Sequence, residues 1–171
     1  MSDRGRKWAR QEKRGTVRLH MYNPMILVVD DDDDIRKVLA TILDENGYEV
    51  DLAKDGAEAL RKTNERQYDL VLIDVFLPDI SGVELLSRIK ETKLGMRKVI
   101  MTGNPSLQNA VACLNNGAHA YIMKPIEIDK MLVTIQKQLN SLEKERKTAM
   151  EIFARGRLRG RIDTINRESA A

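Results

Sequence analysis

From Met25 onward, short apolar runs alternate with helix-patterned stretches, and this happens five times in about 115 residues. Met25 to Val29 reads as a first strand. Ile35, Val38, Leu39, Ile42 and Leu43 then recur at helical spacing, and Asn46-Gly47 stops that helix. Tyr48 to Ala53 alternates as an edge strand, and Asp55 caps a second helix reaching to about Arg66. Leu70-Val71-Leu72-Ile73 is a continuous apolar run, the pattern of a strand covered on both faces, followed by a helix over Val83, Leu85, Leu86 and Ile89. Val99 to Met101 is the fourth strand, and the next helix opens at Pro105 and closes at Asn115-Asn116-Gly117. Ala118 to Met123 is the fifth strand, with a last helix from about Glu127. Strict alternation at this spacing demands parallel strands joined by right-handed crossovers. The expected fold is an α/β, doubly wound, five-stranded parallel sheet of the flavodoxin-like order 2-1-3-4-5, with helices on both faces.

In such a sheet the chemistry gathers where strands one and three end side by side. Strand one ends in Asp30-Asp31, strand three in Asp74, strand four in Thr102 and strand five in Lys124-Pro125. Each has an ordinary reading. A lone Asp at a strand end is a turn-former or helix cap, Thr102 a cap, and Lys124 a surface amine. Asp32, Asp33 and Asp34 read as acids at a helix start. Asp30, Asp31 and Asp74 are expected to converge, and three carboxylates at one point repel unless a cation is present. Mg²⁺ suits one or two carboxylates plus a phosphate, and a carboxylate beside it can attack phosphorus. Thr102 can donate to a phosphoryl oxygen and Lys124 can pair with an anion in the cleft.

These residues resemble the receiver domain of two-component response regulators, of the stand-alone CheY-like type. The resemblance runs from about Met25 to Leu139. It rests on Ile26-Leu27-Val28-Val29-Asp30-Asp31, on Asp74 with Pro78 and Gly82, on Thr102-Gly103, and on Tyr121 followed by Lys124-Pro125. It implies Asp74 as the phosphoacceptor, and Asp30, Asp31 and the backbone carbonyl of Phe76 as the rest of an Mg²⁺ site. It further implies Thr102 and Lys124 as phosphoryl contacts, Tyr121 as a rotating partner of Thr102, and a cis bond before Pro125. The implied partners are a histidine kinase or phosphotransfer protein as donor and a downstream protein target. Phe76 is bulky where water must approach the phosphoryl group, so it is expected to slow hydrolysis. The competing reading is a phosphohydrolase of the haloacid dehalogenase type. That family needs Asp-x-Asp after strand one, which Asp30-Asp31-Asp32 supplies, and late acids, for which only Glu127 and Asp129 remain.

Charge separates the body from its ends. Residues 1–24 hold seven Lys/Arg against two acids, residues 25–139 fourteen against nineteen, and residues 140–171 eight against five. Residues 1–24 are expected to be a disordered basic extension, 25–140 the receiver domain, and 141–171 a helical, basic extension. Ile128, Leu132, Ile135, Leu139, Leu142, Arg146, Ala149 and Phe153 follow a heptad seam with a charged defect at Arg146. The first four are expected on the sheet, and the later four either on a partner helix, making a homodimer, or in a frayed, solvated helix. Arg-Gly-Arg at 4–6, 155–157 and 159–161 suggests flexible arms for nucleic acid, or merely solubilising tails. No second globular domain is expected after Leu139, so output is expected through protein contact. One cysteine, Cys113, allows no internal disulfide, and no apolar run approaches the roughly 20 residues of a membrane span. A cytoplasmic protein is the expectation.

Overall fold

The computed structural model of the protein describes residues 23–89, 95–103 and 107–168. The N-terminal extension up to residue 22, with its Arg-Gly-Arg, and the helix opening at Pro105 lie outside them. The strands are β1 (Met25–Val29), β2 (Glu49–Ala53), β3 (Leu70–Asp74), β4 (Arg97–Thr102) and β5 (Ala120–Met123). They alternate with α1 (Asp33–Glu45), α2 (Gly56–Glu65), α3 (Gly82–Arg88), α4 (Leu107–Asn115) and α5 (Ile128–Glu168). All pairings are parallel, as the alternation implied, and the order is β2-β1-β3-β4-β5, the expected one.

β1, β3 and β4 are buried along their whole length, which is why their sequences run apolar without alternation. Leu27, Val29, Val71, Ile73 and Ile100 belong to one core layer, with Ala59, Leu85, Leu86 and Cys113 of α2 to α4. Ile26, Val28, Leu70, Leu72, Val99 and Met101 belong to the other, with Leu39 and Leu43 of α1 and Met131, Ile135 and Leu139 of α5. Each such Leu or Ile contributes about 1.5–3 kcal/mol by leaving water.

Three differences from the sequence reading are informative. β4 begins at Arg97, not Val99, with Arg97 and Lys98 buried despite their charge. The Lys98 ammonium donates to the carbonyls of Leu86 and Ile89 at 2.9 and 3.0 Å, satisfying the end of α3. Second, Arg146 is no defect in a free seam. Its guanidinium meets the buried Asp69 at 2.7 Å and donates to the Gly95 carbonyl at 3.1 Å, and Leu142 beside it is buried. Of the later seam residues only Ala149 and Phe153 stay exposed. Third, Arg-Gly-Arg at 155–157 and 159–161 lies within α5, so those residues are not flexible arms.

Candidate functional site

The carboxyl edge of the sheet places four of the expected side chains together. Asp74 closes β3 and Asp30 follows β1 directly, both buried. The register pairs Asp74 with Met101, so Thr102 is the next residue on the adjoining strand, also buried. The Thr102 carbonyl accepts the Lys124 amide at 2.8 Å, bringing the β5–α5 connection to the same edge. The Lys124–Pro125 bond is cis, as the resemblance implied.

Lys124 is the hub. Its ammonium lies 2.8 Å from Asp30 Oδ2 and 2.7 Å from Asp74 Oδ1. Asp30 Oδ1 accepts the Asp32 amide at 3.0 Å, and Asp74 Oδ2 accepts the Phe76 amide at 2.8 Å. Burial pushes the Asp74 carboxyl up from the ordinary range, although Lys124 and the Phe76 amide pull it down. The Lys124 ammonium, held by both acids, is raised despite its own burial. One lysine therefore serves two carboxylates, and the site keeps an excess of negative charge.

The expected convergence of three carboxylates is not realised. Among the described residues no three acidic, histidine or cysteine side chains gather closely enough to hold a metal. Asp30 and Asp74 meet through Lys124, while Asp31, one residue further out, is exposed. Lys124 offsets only one of the two buried charges. The donor set still fits a hard divalent cation. It offers only oxygens, carries surplus negative charge, and holds an Asp74 carboxyl that Lys124 alone does not bring down to normal.

Tyr121 packs against the α2–α4 core layer from β5. Its hydroxyl is buried and makes no hydrogen bond among the described residues, and that burial raises its pKa. Phe76 is 62% exposed at the mouth of the site. Sequence reasoning missed Arg36. From α1 it donates to the Asp30 carbonyl at 2.6 Å and pairs with Asp33 at 2.9 Å, fixing the peptide between Asp30 and Asp31. Its signal is weak, a lone arginine seven residues after a strand. Gly82 is required by contact, since a Cβ there would lie 2.1 Å from the Asp74 carbonyl oxygen.

A parallel 2-1-3-4-5 sheet with two buried acids, a lysine and a threonine at its carboxyl edge defines a receiver-type signalling fold. Residues 26–136 match the model of the response regulator receiver domain, and the chain belongs to that family. It is 38% identical over 114 residues to the uncharacterized transcriptional regulatory protein YkoG of Bacillus subtilis, covering 67% of this chain and 50% of that protein. It is 40% identical over 114 residues to the transcriptional regulatory protein ZraR of Klebsiella oxytoca, covering 67% of this chain and 26% of that one. The chain thus spans between a quarter and half of these relatives. Among solved structures, a CheY-like receiver domain protein from Methanospirillum hungatei is 42% identical with a TM-score of 0.69, covering 72% of this chain and 99% of its own. Phosphorylation and Mg²⁺ binding are general features of the family. No helix among the described residues is long and apolar enough to cross a membrane.

Proposed function

We propose that the protein is a phosphorylation-switched receiver whose phosphoacceptor is Asp74. The observation that carries this is the shared lysine. Asp74 is the buried carboxylate at the end of the central strand, held by Lys124 on one oxygen and the Phe76 amide on the other. A carboxylate raised by burial is a better nucleophile than an exposed one, and two fixed donors orient it.

In the reaction an Asp74 oxygen attacks the phosphorus of a kinase phosphohistidine, or of a small acyl phosphate. The new P–O bond forms as the P–N or P–O bond to the donor breaks. The electron pair leaves with the imidazole nitrogen, which takes a proton, or with the acetate oxygen. Lys124 moves its pairing from the lost carboxylate charge to the phosphoryl oxygens. When bound, Mg²⁺ would be held by Asp30, Asp31, Asp74 and the Phe76 carbonyl and would supply neutralisation of charge on the phosphoryl group. Thr102 then donates to the phosphoryl, and Tyr121, whose buried hydroxyl is unpaired among the described residues, takes up the space behind it. The phosphoryl favours one of two packings of the α4–β5–α5 surface. Output passes by protein contact, and the exposed Met150, Ile152 and Phe153 on α5 serve a second copy of the chain. The same number of subunits per particle in light scattering for the full chain and one ending at Asn140 would remove the dimer.

The test is phosphorylation by acetyl phosphate with Mg²⁺, read as one phosphoryl added to the intact mass. Wild type gains it and Asp74→Asn does not. Undiminished labelling of Asp74→Asn would refute the assignment.

A further inference from the structure

The first turn of α2 carries two acids where one suffices. Asp55 is the local cap, its Oδ1 accepting the Glu58 amide at 2.8 Å. Asp79 arrives from the loop between β3 and α3, far along the chain. Its Oδ1 accepts the Gly56 amide at 2.9 Å and its Oδ2 the Ala57 amide at 2.8 Å. These amides, the Gly56 one foremost, hold the exposed Asp79 carboxyl below its ordinary range. Beside it Ile80 lies directly on Gly56. A Cβ at 56 would sit 2.5 Å from Ile80 Cγ1, so the loop and the helix start are in full contact.

The same loop begins at Asp74. Val75 is tied to β4 through its amide on the Met101 carbonyl at 3.0 Å, and its own carbonyl accepts the Gly82 amide at 2.8 Å. Between these fixed points stands Phe76, whose amide holds Asp74 Oδ2. The loop therefore has two ends anchored in the sheet and α3; its middle is held by a Phe76–Ser81 bridge, by Leu77 and Ile80 on the core layer, and by Asp79 on α2.

We infer that Asp79 is a positioning residue of the phosphoacceptor site: by gripping both first amides of α2 it sets the 75–81 loop, and through it the Phe76 peptide against Asp74. This rests on the reading of Asp74 as phosphoacceptor. For helix stability the two acids act alike, because both satisfy amides at one helix start, Asp55 one and Asp79 two. For the site they differ, because only Asp79 belongs to the loop. Second-layer contacts of this kind change metal affinity or activity by about 10–100-fold.

The experiment compares full-length wild type, Asp55→Ala, Asp79→Ala and Asp79→Asn. Three quantities are read: thermal midpoint, Mg²⁺ affinity by titration, and acetyl phosphate kinetics split into kcat and KM. Both alanine variants are expected to lose similar thermal stability. Only Asp79→Ala is expected to lower kcat about tenfold and weaken Mg²⁺ binding. Asp79→Asn, with one acceptor oxygen for two amides, falls between and keeps the readout if the alanine variant unfolds. Wild-type kcat and Mg²⁺ affinity in both Asp79 variants would overturn the inference, as would an equal loss in Asp55→Ala. A wild type that takes no phosphoryl would overturn the phosphoacceptor reading as well, a distinguishable result.

Discussion

The two ends of the central sheet bury the same kinds of groups in opposite proportion. At the amino edge Asp69 has its own cation, Arg146, at 2.7 Å, and also accepts the Met25 amide at 2.8 Å. Arg97 pairs with Glu145 there, and Lys98 ends on two carbonyls. At the carboxyl edge two buried acids divide one lysine. At the first edge Asp69 and Arg97 each have an oppositely charged partner on α5, and the two pairs act as a clasp joining α5 to the strand starts. The second has two buried acids for one lysine and a carboxyl pushed above normal by burial. One sheet thus separates a bond that holds the fold from a site that awaits a reactant.

Breaking the hub has the largest expected effect. Lys124→Met leaves Asp30 and Asp74 facing each other unpaired, at a cost of about 3–5 kcal/mol near neutral pH in chemical denaturation. That loss shrinks in acid as the carboxyls protonate; a pH-independent loss would contradict the shared-lysine description.

Asp69→Asn comes next. It strips Arg146 of its partner and is expected to cost about 3 kcal/mol. Asp74→Asn, at the other edge, has the opposite sign. The Asp74 carboxyl is raised in the folded state, so its favourable contribution is present below the ordinary aspartate range and lost as pH rises through the folded value. At neutral pH its ionisation opposes folding, so Asp74→Asn is expected to unfold at a higher temperature than wild type. The advantage disappears in acid. Destabilisation of similar size by both substitutions would erase the contrast between the edges.

Smaller effects sharpen it. Phe76→Asn should speed loss of the phosphoryl group about threefold, less than 1 kcal/mol in barrier, by admitting water; equal decay rates would remove the shielding role. Smallest is Glu84→Ala, which breaks the exposed pair with Arg88 and should change stability by no more than about 0.5 kcal/mol.

Much of this was legible beforehand. The unbroken apolar runs of β1 and β3 reveal burial on both faces, and Asp30, Asp74, Thr102 and Lys124 stand at strand ends where the topology must gather them. What stayed hidden depends on distance in sequence. Nothing in Arg97-Lys98 says that a lysine will be buried against carbonyls twelve and nine residues upstream. Arg146 looks like a flaw in a heptad because its partner, Asp69, precedes it by 77 residues. Asp79 carries no signal in the sequence, since its grip on Gly56 and Ala57 exists only in the folded chain. That Lys124 pairs with Asp30 and Asp74 themselves is also invisible in the sequence, since 94 residues separate Lys124 from Asp30.

The most direct measurement identifies the acceptor atom by atom. Treat the protein with acetyl phosphate and Mg²⁺, reduce the acyl phosphate with borohydride, and locate the resulting homoserine by peptide mass spectrometry. The account predicts homoserine at position 74 alone. An unmodified Asp74, or homoserine arising instead from Asp30 or Asp31, would contradict it.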